Sequence, residues 1–148
     1  MQNRKPSGPV ADAVMEIVHE MGYAVVDFSA ERVKGRTHVH CVLHKAEGIN
    51  LDALGEVHRM LQPRLEILLE DNDLHIEFSS PGINRVLKSF YEFSVFTGMG
   101  VQVLQGEKPE WIGGTIESAT EQECILVDEA GLRHTFTPDS IVKARLSG

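Results

Sequence analysis

The chain has 148 residues, with 14 Lys/Arg, 22 Asp/Glu and 42% hydrophobic residues, a balance that excludes disordered and fibrous classes. A net charge of −8 argues against a general nucleic-acid binder, which needs a basic footprint. No apolar run approaches the ~18 residues of a membrane span.

Cys41 and Cys124 sit far apart in apolar strand patterns and read as buried, reduced thiols rather than as a disulfide or a metal pair. No apolar stretch follows the opening M-Q-N-R-K-P-S-G-P, so no signal peptide is expected and the expected location is the cytoplasm.

Val10, Val14, Ile17, Val18 and Met21 recur at helical spacing, with Ser7 and Pro9 as start signals and Gly22 as the stop. Strands are expected over 23–33 and 37–45, joined as a hairpin by the polar turn Lys34-Gly35-Arg36. In the second strand Val39, Cys41 and Leu43 form the apolar face. His38, His40 and His44 therefore fall on the other face, where His75 of a third strand can join them. Imidazoles alternating along a strand point the same way, which raises a zinc hypothesis. Neither C-x-x-C nor H-E-x-x-H spacing supports it and Val42 interrupts the row, so no metal and no cofactor is expected. A solvated or RNA-facing surface is the reading adopted.

Asn50 caps a helix whose apolar face is Leu51, Leu54, Val57, Leu61, Leu65 and Leu68. Pro63 should kink it or split it into about 51–62 and 63–70, because an interior proline forfeits a hydrogen bond at ~3 kcal/mol. Leu74, Ile76 and Phe78 then alternate with His75, Glu77 and Ser79 as a third strand. The order α-β-β-α-β gives a three-stranded sheet covered on one face by helices, a two-layer α/β domain assigned to residues 1–88. That order is similar to the KH topology, but M-L-Q-P-R-L at the Pro63 break offers no GXXG loop, so the KH mode of clamping RNA is not expected.

The third strand runs into Ser79-Ser80-Pro81-Gly82-Ile83-Asn84-Arg85-Val86-Leu87-Lys88. Pro-Gly fits the central positions of a type II turn, with Gly82 supplying the positive φ. Ser79, Ser80, Gly82, Asn84, Arg85 and Lys88 then gather hydroxyls, an amide and two cations, a kit suited to phosphate or a partner protein. The plainer alternative is a strand, a tight turn and a short helix, with Arg85 solvated or paired to a neighbouring carboxylate. A serine nucleophile at Ser79 or Ser80 lacks a G-x-S-x-G elbow, and His75 faces sideways from both hydroxyls.

Ser89-Phe90-Tyr91-Glu92 reads as a capping box opening a short connecting helix over 89–97, with Phe90, Phe93 and Phe96 on its apolar side. Short strands follow at about 101–105, 111–119, 123–128, 132–137 and 141–146, the pattern of a small five-stranded barrel over 98–148. Gly113-Gly114 inside a strand marks a sharp bend or a close backbone approach. The overall class is α+β.

The run I-E-F-S-S-P-G-I-N-R-V-L resembles the signature S-S-P-G-L-D-R-P-L of the ribosome maturation factor RimP family, with Asn84 where the family prefers Asp and Val86 where it prefers Pro. Phe93-x-x-Phe96-x-Gly98-x-x-Val101-x-Val103 matches the family's crossing between domains. Ile112-x-Gly114-x-Ile116 and Ile141-x-Lys143-Ala144-x-Leu146 resemble patterns of its Sm-like C-terminal domain. The resemblance implies a non-enzymatic assembly factor for the nascent small ribosomal subunit, with a basic ribosomal protein engaged by the C-terminal domain. The alternatives are a free-standing Sm-like RNA regulator, which would need a basic barrel, and a small serine hydrolase.

Charge divides the two halves. Residues 1–88 hold 10 Lys/Arg against 13 Asp/Glu, and residues 89–148 hold 4 against 9. Arg32, Lys34, Arg36, Arg59 and Arg64 are therefore the candidate RNA-facing cations, and the acidic C-terminal half suits a basic protein.

Overall fold

The structure, a computed structural model, describes residues 1–107 and 110–147. The chain separates into two compact units, Pro6–Pro81 and Met1–Lys5 together with Gly82–Gly148. The division thus falls between Pro81 and Gly82 rather than at 88, and the segment 89–97, expected as a connector, belongs to the second unit.

In the first unit, α1 (Pro9–Glu20) begins with Pro9 in its first turn and has no side-chain cap at Gly8. Proline is tolerated there because its missing N–H would have no helical partner anyway. The hairpin of β1 (Ala24–Val33) and β2 (Arg36–His44) turns on Lys34 and Gly35, both at positive φ (53° and 80°). This is the turn hand that matches the strand twist. The helix α2 (Leu51–Leu69) crosses back, so that β3 (Leu74–Ser79) pairs parallel to β2 in the order β1-β2-β3.

Asn50 caps α2 as expected, its Oδ1 accepting from the Asp52 and Ala53 amides at 2.9 and 3.3 Å. Pro63 does not split the helix. Its ring lies on the exposed side, while Val57, Leu61 and Leu65 bury at spacings of four and hold both halves on the same core. The apolar face also ends differently from its sequence reading: Leu51 (81%) and Leu68 (44%) are exposed, and Leu69 packs against the core instead. Val14, Val18, Val25, Val39, Cys41, Leu43, Leu61 and Leu65 form the centre of that core.

The second unit is built on β4 (Gly100–Gln105), β5 (Trp111–Ala119), β6 (Cys124–Val127), β7 (Arg133–Phe136) and β8 (Ile141–Leu146). They form one antiparallel sheet in the order β7-β6-β5-β4-β8. Among the described residues no pairing joins β7 to β8, so the sheet is established without closure into a barrel. Val101, Val103, Ile116, Cys124, Leu126, Phe136, Ala144 and Leu146 bury its inner face. Leu87, Phe90, Phe93 and Phe96 are buried in the same unit, the last two on or beside the short helix α3 (Glu92–Val95). Of the bend or close approach expected at the glycine pair, the structure shows a close approach at Gly114, where a Cβ would stand 2.7 Å from the Val127 carbonyl oxygen.

The N-terminal residues are tied to this second unit. The Phe90 amide donates to the Gln2 carbonyl at 2.8 Å, and the Arg4 amide to Ser89 Oγ at 2.6 Å. No helix among the described residues is long and apolar enough to cross a membrane.

Candidate functional site

The Ser79–Lys88 motif is shared out by the division of the chain, with Ser79 and Ser80 closing the first unit and Gly82 to Lys88 opening the second. Gly82 has φ 79° with nothing within 4 Å of a would-be Cβ, so the turn needs glycine for its backbone alone. Ser80, Gly82, Asn84 and Lys88 are exposed. Ser79 Oγ lies 2.9 Å from His40 Nε2. This is a serine–histidine contact that sequence reading missed, because parallel register sets His40 opposite Glu77 and brings it beside the strand end. No carboxylate is paired with His40 among the described residues, so the contact lacks the third group that orients a catalytic base.

Arg85 does not stand in an open cation cluster. Its side chain is 9% exposed and forks onto Glu92, which is 1% exposed: Nε donates to Oε1 at 2.6 Å and Nη2 to Oε2 at 3.2 Å. Glu92 Oε2 also accepts from the Lys88 amide at 3.0 Å. Glu92 begins α3, as the capping-box reading implied, but its carboxylate serves as the anion of a buried bidentate pair instead of turning back to cap the helix at Ser89. The segment itself is extended rather than helical: Val86 bridges Arg145, the Leu87 amide donates to the Ala144 carbonyl and the Leu146 amide to the Arg85 carbonyl, both at 2.9 Å. The motif thus continues the sheet past β8.

Of the candidate RNA-facing cations, Arg36 reaches Asp73 at 3.1 Å, Arg64 reaches Glu16 at 2.9 Å, and Arg32 lies 3.9 Å from Asp71. Lys34 sits at the tip of the hairpin and Arg59 on α2, both exposed. Three of the five charges are partly neutralised by carboxylates, which shortens the reach of their field.

The open face of the three-stranded sheet carries the histidines. His38 and His75 are in register with ring centroids 5.3 Å apart, Glu31 stands opposite His38, and Glu77 opposite His40. His44 is half-buried, and that burial lowers its pKa from 6.5. Among the described residues no three His, Cys, Asp or Glu side chains are grouped to hold a metal ion. Burial pushes the thiols of Cys41 and Cys124 up to about 12, which leaves both unreactive at neutral pH.

Two further features of the second unit were not legible in sequence. The guanidinium carbon of Arg145 lies over the Trp111 ring, 4.9 Å from its centroid, and its Nε and Nη2 donate to Gln102 Oε1 at 3.2 and 3.0 Å. Beside this lies an open concavity of about 720 Å³, lined by Gly100, Gln102, Gly113, Gly114, Asp128 and Glu129 among others. The turn flanking it is fixed by Asp128, whose Oδ1 accepts from the Ala130 and Leu132 amides and whose Oδ2 lies 2.8 Å from His134. The contact with His134, followed by the Leu132 amide, holds the Asp128 carboxyl below its usual range.

The RimP N-terminal domain family matches residues 13–84, from within α1 to the middle of the turn motif. A protein of Borrelia hermsii called ribosome maturation factor RimP is 30% identical over 95 residues, which are 64% of this chain and 66% of that protein. The proteins of the same name from Borrelia recurrentis and Borrelia turicatae are 28% and 27% identical over the same lengths. The matched stretch thus spans just under two thirds of the relatives' own length.

Proposed function

We propose that the chain is a member of the RimP family and a non-enzymatic factor in the assembly of the small ribosomal subunit. The observation that carries this is the family match across residues 13–84, which takes in most of the first unit and ends at Asn84, just past the Ser-Ser-Pro-Gly turn. The retained turn supports it, with Gly82 in the backbone conformation that the motif's glycine supplies. In this reading the protein works in the cytoplasm, and its second unit is an Sm-like barrel.

The exposed part of the motif, Ser80, Gly82, Asn84 and Lys88, is the part offered to a partner. Arg85 supports that surface from inside through Glu92. The second unit's acidity suits a basic ribosomal protein, and the exposed Lys34 and Arg59 with the half-neutralised arginines suit an rRNA contact by the first unit.

Sedimentation of a cell extract through a gradient tests the proposal. The factor is expected to travel with free small subunits and to be absent from translating ribosomes, and cells lacking it should accumulate small-subunit precursors. Migration only at the top of the gradient, with normal subunit profiles in its absence, would overturn it.

A further inference from the structure

The outer face of β8-β4-β5 combines features that the acidity of the whole unit conceals. Across this sheet Arg145 is in register with Gln102, and Gln102 with Gly113; one step along, Lys143 is in register with Leu104, and Leu104 with Trp111. Trp111 is 40% exposed, and Lys143 and Arg145 are exposed as well. Neither cation makes an ion pair among the described residues, unlike Arg133, which is held by Glu117 at 2.8 Å.

The arginine is fixed rather than loose. Gln102 Oε1 takes two of its N–H groups, and Cζ of the guanidinium lies over the indole, 4.9 Å from its ring centroid. Gly113 adds no side chain to the row beside Gln102. The floor then drops into the concavity of about 720 Å³, which Gln102 and Gly113 also line.

A flat aromatic ring, a guanidinium held over it, an ammonium with no ion pair among the described residues and an adjoining hollow lined by Gly113 and Gly114 together form a platform on which nucleobases stack while phosphates meet cations. We infer that this face of the second unit binds a short single-stranded segment of RNA, one base stacking at Trp111 and Arg145 and the backbone running past Lys143. The proposal goes beyond the assembly-factor reading and does not depend on it. A protein partner is the less favoured occupant, because two unneutralised cations in a net acidic unit complement phosphate better than they complement the basic protein that this unit otherwise suits.

Trp111 is the only tryptophan of the chain, so its fluorescence reports this face alone. Titrating the intact protein with short oligoadenylate and oligouridylate should quench it to saturation. With two phosphates neutralised, the logarithm of the affinity should fall with the logarithm of salt at a slope of about −1.4. By anisotropy of the labelled oligonucleotides, Trp111→Leu should weaken binding roughly tenfold or more, and Arg145→Gln by a similar factor. Folding of each variant is checked by Cys124 staying unreactive towards a thiol reagent. The inference is overturned if wild-type fluorescence stays unquenched at saturating RNA, if both folded variants bind RNA as the wild type does, or if a basic peptide quenches Trp111 and RNA does not.

Discussion

The two units solve the problem of buried charge in opposite ways. In the Pro6–Pro81 unit the ion pairs Arg36–Asp73 and Arg64–Glu16 lie at the surface, with all four side chains more than 40% exposed. The core beneath is apolar apart from Thr37 and Asp71, the Thr37 hydroxyl donating to the Asp71 carboxylate at 2.5 Å. The other unit places a complete arginine–carboxylate fork, Arg85 with Glu92, at 9% and 1% exposure. Surface pairs are worth little, whereas one half of a buried pair cannot be removed without stranding the other. The first unit should therefore tolerate loss of a charge from either of these surface pairs, and the second should not tolerate loss of either half of its fork. Cys41 lies buried in one unit and Cys124 in the other, so thiol labelling along a urea gradient reads the two separately.

Glu92→Ala should have the largest effect. Leaving the Arg85 guanidinium and the Lys88 amide without their acceptor should cost the second unit about 3–5 kcal/mol. Cys124 should then label at much lower urea while Cys41 is unmoved. Equal shifts at both thiols would mean that the units do not unfold independently.

Gly114→Ala comes next, because the new methyl meets backbone rather than a yielding side chain. The second unit should lose about 1–3 kcal/mol, again read at Cys124. Gly82→Ala meets no atom and should cost about 1–2 kcal/mol through its positive φ alone. If the two alanine variants lose the same stability, contact with Val127 is not what distinguishes Gly114.

Acid should separate the units by sign and window. The His44 pKa is depressed by burial, so the stabilisation from its neutral form is complete above the unfolded value of 6.5 and drains away as pH falls below it. Asp71 and Asp128 are also depressed, by the Thr37 hydroxyl and the His134 ring respectively, and their stabilisation is lost only as pH falls below 3.8. The first unit should therefore begin to weaken at a higher pH than the second. Labelling with dithiodipyridine, which reacts at low pH, should expose Cys41 before Cys124, and the reverse order would refute the assignment.

The smallest effect is expected at Arg64→Gln. Its pair with Glu16 is exposed on both sides, so stability should change by under about 0.5 kcal/mol. A larger loss at Cys41 would show that this surface pair carries structural weight and would narrow the contrast between the units.

The sequence by itself determined most of the elements, since periodicity, caps and turn residues act within a few neighbours. The helix start at Pro9, the Asn50 cap, the Lys34-Gly35 hairpin and the five later strands are all of this kind. It also supplied the turn at Gly82 and the close approach at the glycine pair. What tertiary structure decided depends on partners far along the chain. Burial of Val57, Leu61 and Leu65 carries α2 through Pro63, where local propensity predicts a break. The fate of Arg85 was set by Glu92, a residue whose local pattern spelled a helix cap. The pairing of Trp111 with Arg145 arises only because β4 lies between β5 and β8, an ordering that hydrophobic alternation within each strand does not encode. Side-chain chemistry is written residue by residue, but which charges are neutralised and which are offered to a partner is a property of strand order and burial.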